Sequence, residues 1–142
     1  MIKNFYLLSI FMLSVSQFKG QSITYSTLIN LLSQNIIQVE KTMNNNGFKF
    51  TSISTYTDGE SNYENTALEK LAILPSQKSL TLTCSRATYL KVHAEIMSAN
   101  LKIDEYDLLD KNKLHYTTPL YNIEILYITD KKLYQFVIKK LN

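Results

Sequence analysis

Cys84 and His93 are the residues of this sequence best suited by type to nucleophilic chemistry. A thiolate attacks a carbonyl carbon when a neighbouring imidazole takes the thiol proton, and the start of a helix lowers a thiol pKa. Cys84 directly precedes a predicted helix, but His93 then lies about 10 Å further along the helix axis. Cys84 also continues the alternation of Leu80 and Leu82. The pattern therefore favours a small buried core residue, with a Cys84-dependent hydrolase as the lesser alternative.

The histidines and carboxylates do not follow a recognisable metal-binding pattern. His93 and His115 are the only histidines, and neither has a second ligand at helical spacing. A calcium loop needs alternating oxygen ligands, a central Gly and a distant Glu, and the short oxygen-rich run 58–62 lacks that spacing. The same holds for an acidic cluster made of Asp104, Glu105, Asp107 and Asp110. We interpret both segments as solvated turns, with weak cation binding as the alternative, and predict no metal site.

Motifs for cofactors and for nucleic acid are also missing from the sequence. There is no Gly-x-Ser-x-Gly, phosphate-loop or dinucleotide-binding pattern, and three glycines in the whole chain leave little room for one. The formal net charge is +3, spread over scattered lysines, whereas a nucleic-acid-binding domain carries a basic stripe. We therefore predict no cofactor, no enzymatic activity and no nucleic-acid partner.

Tyrosine is the most unusual feature of the composition, with ten residues. Tyr116, Tyr121 and Tyr127 fall in one predicted strand region. Exposed tyrosines are frequent in interfaces because the ring is rigid and carries a polar end. Tyr121 and Tyr127 also share the alternation of the neighbouring isoleucines 123 and 125, which favours packing in the core. Both interpretations, a binding face and core packing, stay open at this point.

Residues 1–16 have the three parts of a cleavable signal peptide. Lys3 gives a positive start, residues 5–15 are apolar, and small residues occupy the −3 and −1 positions of a cut before Gln17. The apolar run is shorter than the roughly 20 residues of a spanning helix, so an uncleaved anchor is the lesser alternative. No Cys follows it that could carry a lipid. We expect export to the periplasm or the medium, with no stable membrane insertion after cleavage.

The remaining residues, 17–142, are predicted to form one α+β domain. Asn, Ile and Tyr are abundant, and because AT-rich codons encode them, the composition indicates an AT-rich bacterial genome. Apolar residues recur every three or four positions in 26–45 and 86–100, which predicts two helices. Thr24 or Ser26 is suited to cap the first helix. The buried stripe of the second helix is predicted to contain Leu90, Ala94, Met97 and Leu101. One cysteine allows no internal disulfide, so stability must come from the packed core.

Alternating apolar residues predict several strands. The predicted strands are 48–56, 80–84, 101–106, 116–128 with a break near Pro119, and 133–140, while 63–74 could be strand or helix. The two halves match, because the run 43–50 parallels the run 97–103 with one residue deleted. This predicts tandem units 24–84 and 86–142, each a helix followed by three strands, at a repeat of about 54 residues. Coincidence of two helix-to-strand joins is the alternative. We expect one antiparallel sheet with both helices on one side.

A tandem helix-plus-strands unit in a small exported domain resembles the fold of the β-lactamase inhibitor proteins and of the small outer-membrane-assembly lipoproteins related to them. The resemblance covers the mature chain in architecture, without a shared motif, and the lipidated Cys of those lipoproteins is absent. It implies protein binding through a sheet face rather than catalysis. We therefore expect a non-catalytic module of the bacterial envelope or secretome that binds a protein or peptide. A carrier of a small apolar ligand is the alternative.

Overall fold

The computed structural model describes residues 23–54, 59–99, 102–103 and 112–141. These residues form three α-helices, which are α1 (Tyr25–Leu31), α2 (Ile36–Asn45) and α3 (Arg86–Ser98). They also form eight strands: β1 (Phe48–Ser54), β2 (Glu60–Asn65), β3 (Lys70–Leu74), β4 (Ser79–Cys84), β5 (Lys102–Ile103), β6 (Lys113–Thr117), β7 (Tyr121–Ile128) and β8 (Leu133–Lys140). A short 3-10 turn, Pro75–Gln77, joins β3 to β4. The predicted α+β class is confirmed. The predicted signal peptide, residues 1–16, and the acidic cluster at 104–110 lie outside the described residues.

The single helix predicted at 26–45 is wrong, because the chain forms a pair of helices there. Thr24 caps α1 by accepting a hydrogen bond from the amide of Thr27 at 3.2 Å. Asn35 then starts α2 with a capping box, since its side chain accepts from the Gln38 amide at 3.0 Å while the Gln38 side chain accepts from the Asn35 amide at 3.2 Å. Reciprocal caps of this kind satisfy the free amides of a new helix start and so favour a break.

Two further observations concern the end of α2 and the length of the helices. The Asn-rich turn ends α2 as predicted, and Gly47 there has a φ of +78°, a conformation that glycine adopts without strain. None of the helices in the described part of the chain combines the length and the apolar character needed to cross a bilayer.

The strands form one antiparallel sheet with the order β1-β2-β3-β4-β8-β7-β6-β5. The predicted units of one helix and three strands are therefore wrong in detail. The first half has two helices and four strands, and the second half has α3 and four strands, of which β5 is only two residues long. Within each half, strands that follow one another in sequence are neighbours in the sheet. The halves are joined by β4 and β8, the last strand of each.

In both halves the strand that the prediction lacked arises from a tight turn, inside 63–74 in the first half and at the predicted break near Pro119 in the second. The side chain of Asn65 accepts from the amides of Ala67 and Glu69, at 3.0 and 2.9 Å, and separates β2 from β3. The hydroxyl of Thr118 accepts from the amides of Leu120 and Tyr121, at 3.1 and 2.7 Å, and separates β6 from β7. Side chains of this type replace the sheet partner of a backbone amide and so turn the chain.

All buried strand residues lie on one side of the sheet, which we call the core face. Strand register shows this directly, because Leu71 lies opposite Leu82, which lies opposite Phe136, and side chains opposite one another share a face. The buried side chains of this face and of the helices form one cluster; its least exposed members are Leu28, Met43, Leu82, Val92, Ile96, Ile123, Phe136 and Ile138. The described helices pack against this face.

The buried stripe of α3 differs from the predicted one. The helix buries Thr88, Val92 and Ile96, while Leu90 and Met97 are 54% and 52% exposed. The orientation is set by tertiary packing, because the Tyr89 ring stacks on Tyr134 of β8 with the ring centres 3.9 Å apart. Helix periodicity alone does not determine which of two apolar stripes faces the sheet.

Replacement of Leu82 by Ala tests the position of the core. Leu82 is fully buried in a central strand, so Leu82→Ala should lower the free energy of unfolding by about 2–5 kcal/mol. The matched variant Thr81→Ala, which changes the next residue on the opposite side of β4, should cost less than about 1 kcal/mol. Urea denaturation of both variants measures the difference. Equal losses would contradict the assignment of the core to one face.

Candidate functional site

Cys84 lies at the end of β4 with 1% of its surface exposed. Burial raises the pKa of its thiol to about 12, and the charge of the Glu69 carboxylate acts in the same direction. A thiol with such a pKa is protonated at neutral pH, and the protonated form is a poor nucleophile. The geometry therefore supports the core-residue interpretation and gives no support to a Cys84-dependent hydrolase.

Glu69 is a buried carboxylate that the sequence analysis did not single out. It is 7% exposed. It accepts hydrogen bonds from the Asn65 side-chain amide at 2.9 Å, and from the Ser85 hydroxyl and amide at 2.9 and 3.2 Å. Burial alone would raise the pKa of Glu69, but hydrogen bonds from the side chains of Thr88, Asn65 and Ser85 and from the Ser85 amide lower it overall. The carboxylate thereby links the β2–β3 turn to the start of α3.

His93 is held between two tyrosines rather than beside Cys84. Its Nε2 lies 2.8 Å from the Tyr116 hydroxyl and its Nδ1 lies 3.2 Å from the Tyr89 hydroxyl. The Tyr116 hydroxyl also contacts Met97 Sδ at 3.5 Å, and the donor in each His93 contact depends on which ring nitrogen carries the proton. Burial lowers the pKa of His93, which favours the neutral imidazole over the charged form. The network links α3 to β6 and occupies both ring nitrogens of His93.

The three tyrosines predicted as core residues or as a binding face do not form one exposed surface. Tyr116 is 2% exposed. Tyr121 is partly buried and packs against the core. Tyr127 lies 4.9 Å, ring centre to ring centre, from Tyr134, and both line a shallow cavity of about 250 Å³ together with Tyr89. All three side chains lie on the core face, while a binding role for them stays a prediction.

Metal ligands are not grouped in the part of the chain that the structure describes, because no set of three His, Cys, Asp or Glu side chains converges there. Most of the acidic residues considered above are not described, because Asp58 and residues 104–110 lie outside the described part of the chain. His115 lies across from Glu124 in the β6–β7 ladder. The expectation of no metal site stays a prediction.

The second side of the sheet, which we call the open face, has no described helix packed over it. One row runs straight across six strands, from Asn62 through Ala72, Thr81, Val137 and Glu124 to His115. Every side chain of this row is partly exposed. Near its end Lys113 and Glu124 form an ion pair with an N–O distance of 3.2 Å. Nε2 of His115 is buried and has no hydrogen-bond partner among the described residues. The face combines small side chains with polar groups of both charges.

A cavity of about 350 Å³ lies between the α1–α2 connection and the ends of β2, β3 and β4. Its walls are Leu31, Leu32, Ser33, Gln34, Asn35, Ile36, Val39, Ser61, Ile73, Leu74, Pro75, Lys78 and Ser79. The volume falls within the range of small-molecule sites. Sequence analysis missed this cavity because it treated α1 and α2 as one continuous helix, and the cavity lies where that helix breaks. The pairing of Asn35 with Gln38 was the signal that could have revealed the break.

Thiol labelling tests the state of Cys84. At about pH 8 a thiol with a pKa of about 12 is ionised in about one molecule in ten thousand. Ellman's reagent should therefore react very slowly with the folded protein and rapidly in urea, with Cys84→Ser as the blank. Native labelling as fast as labelling in urea would show an accessible, ionised thiol and would contradict the burial described above.

Acid titration of stability tests the environment of His93. Because its folded pKa lies below the ordinary value of 6.5, the unfolded chain binds the proton first, and the free energy of unfolding should fall as the pH drops from about 7.5 to about 5.5. The lowered pKa of Glu69 acts only in a more acidic range, as the pH falls below its ordinary value of 4.5. His93→Gln should flatten the slope in urea titrations, and the comparison of the two proteins cancels what other groups contribute. An unchanged slope would contradict the assignment.

Comparison of the chain with protein-family models, with curated protein sequences and with solved structures finds no match. The resemblance in architecture to the β-lactamase inhibitor proteins therefore stays a prediction, and no residue role is taken from another protein.

Proposed function

We propose that this chain is an exported, non-catalytic module that binds another protein through the open face of its sheet. The observation that carries the proposal is the width of that face, on which seven strands present described side chains without a described helix over them. At about 4.8 Å between strands the face is about 30 Å wide. This is the scale of a surface that buries roughly 800 Å² per partner in a protein complex.

The chemistry of the open face favours a protein over other partners. An open sheet face of this width does not enclose a small molecule as the concave sites of proteins do. Its charges have both signs: lysines 49, 70, 113 and 139 lie on it together with glutamates 60, 64 and 124. A nucleic-acid surface would be uniformly basic. Small central residues such as Ala72, Thr81 and Val137 let a partner's side chains approach the backbone closely.

Export is the second part of the proposal, and the pattern of residues 1–16 supports it. If these residues are removed on export, protein isolated from its native cells should begin at Gln17 and be found outside the cytoplasm. N-terminal sequencing of that material checks the cut. Protein that begins at Met1 and stays in the cytoplasm would contradict the export part of the proposal and leave the binding part to be judged on its own test.

An Arg substitution at the centre of the open face tests binding. Val137→Arg adds charge and bulk to a partly exposed position of β8, and Leu90→Arg makes the same kind of change on the outer surface of α3, where Leu90 is 54% exposed. Wild type and both variants are immobilised and used to capture proteins from envelope extract. We expect a partner that wild type and Leu90→Arg retain and that Val137→Arg loses.

The captured partner is then purified and titrated against all three proteins. A central interface position should change the Kd at least about tenfold in Val137→Arg and leave it unchanged in Leu90→Arg. Equal affinity of wild type and Val137→Arg would contradict docking on the open face. Failure to enrich any envelope protein, at low and at high salt, would contradict protein binding altogether.

A carrier of a small apolar ligand is the second candidate function. The observation that favours it is the cavity of about 350 Å³ at the α1–α2 connection, most of whose side chains are apolar. Apolar cavities of this size with a few polar groups at their edge are typical small-molecule sites. Of the cavity's wall residues, Leu74 and Ser79 have the strand parity of the open face, so the two functions meet at the ends of β3 and β4 and otherwise use different residues.

A further inference from the structure

We infer that the cavity at the α1–α2 connection takes a short apolar chain that ends in a single anionic group, such as a medium-chain carboxylate. This inference rests on the second candidate function and names its ligand. The cavity is defined by the thirteen wall residues given above. The interior of the cavity is apolar. Its apolar residues come from the end of α1 (Leu31 and Leu32), from α2 (Val39) and from β3 (Ile73).

The described wall residues carry one charge, and it is positive. Lys78 is the single ionisable group among the thirteen wall residues, and no Asp or Glu lies among them. The side chain of Lys78 is exposed, and it makes no ion pair with a described residue. A ligand with one negative end would therefore find a counter-charge at the edge of the cavity, whereas a cationic end would meet a like charge.

The start of α2 adds to this preference. Asn35 and Ile36 line the same cavity, and the N-terminus of a helix carries a partial positive charge that stabilises nearby anions. Ser61, which is 4% exposed, is a buried hydroxyl-bearing residue of the wall on β2. The cavity thus offers an apolar interior, with the charge of Lys78 and the positive end of the α2 dipole in its wall.

Lys78 also offers a matched pair of variants. Its φ is +48°, in the left-handed region, where Asn is well tolerated. Lys132, in the turn between β7 and β8, has nearly the same backbone conformation, with a φ of +53°, and is not part of the cavity wall. Lys78→Asn and Lys132→Asn therefore remove the same charge from the same backbone geometry at two different places.

The experiment titrates the protein with decanoate, decanol and decyltrimethylammonium, each below the concentration at which it forms micelles. These three probes share one chain and differ in the charge of the end group. Amide chemical shifts of Ser33, Gln34 and Ser61 report both affinity and location. We expect saturable binding of decanoate at these amides and weaker binding of decyltrimethylammonium.

The variants locate the site and the charge. Lys78→Asn should weaken decanoate binding about two- to fivefold, the range of a solvent-exposed ion pair, and leave decanol unchanged, while Lys132→Asn changes neither. Ile36→Trp, at a wall residue that is already 58% exposed, should fill the cavity mouth and weaken decanoate and decanol at least about tenfold without unfolding the chain.

Each remaining outcome overturns a defined part of the inference. Equal binding of all three probes, with no effect of Lys78→Asn, overturns the anionic ligand and leaves an apolar carrier. Binding that Ile36→Trp does not weaken, or shifts confined to other amides, overturns the location. No saturable binding of any probe overturns the carrier function as well, and it does not bear on protein binding at the open face, which the Val137→Arg comparison decides separately.

Discussion

The pairing of β4 with β8 is the contact on which the rest of the fold depends. Each half of the chain places its strands in sequence order, so each half alone would end in an exposed strand edge. Six residue pairs from Ser79↔Lys139 to Cys84↔Tyr134 join the two edges. Forming this contact brings together two strands that are far apart in the sequence, which costs conformational entropy. The hydrogen bonds and the buried side chains of the β4–β8 pair must offset that cost. The fully buried Leu82 and Phe136 lie directly opposite each other in it.

The pairing of β4 with β8 also determines which residues lie on each face of the sheet. Because register places opposite residues on one face, the burial of Leu80 and Leu82 commits Ile138 and Phe136 to the core and Thr81 and Thr83 to the open side. The described helices cover the core face, and no described helix lies over the open face. A shift of β8 by one residue would invert every side chain of that strand. The open face is therefore a consequence of core packing in the central pair of strands.

Local signals were sufficient to predict much of the secondary structure. The alternation of Leu80, Leu82 and Cys84 specified β4, and the Asn-rich run ended α2 where expected. The errors also had local causes. Asn35, Asn65 and Thr118 each use one side chain to satisfy backbone amides, and each such residue starts or turns an element that periodicity alone had joined to its neighbour. Weighting these three residues would have given the two-helix start and four strands in each half.

Other features depend on contacts between distant parts of the sequence, and periodicity could not reveal them. Which stripe of α3 faces inward depends on the stacking of Tyr89 against Tyr134, a residue of the last strand. The pKa of Cys84 is raised by burial and by Glu69, which reaches the start of α3 only because the β2–β3 turn lies beside it. The sequence identified Cys84 as a core residue through alternation, but the carboxylate that reinforces its protonated state is a product of the fold.

The positions of the polar groups give the strongest physical argument about function. Three described groups with catalytic potential are engaged in the packing of the fold: burial raises the pKa of the Cys84 thiol, Glu69 accepts hydrogen bonds from a turn and a helix start, and His93 contacts a tyrosine hydroxyl with each ring nitrogen. Recruiting any of them for chemistry would break contacts that hold elements together, and loss of buried hydrogen bonds costs about 1–3 kcal/mol each. Binding makes no such demand, because the open face and the cavity at the α1–α2 connection keep their side chains out of these networks. The separation of structural polar groups from accessible surfaces is what makes a binding role compatible with a stable fold.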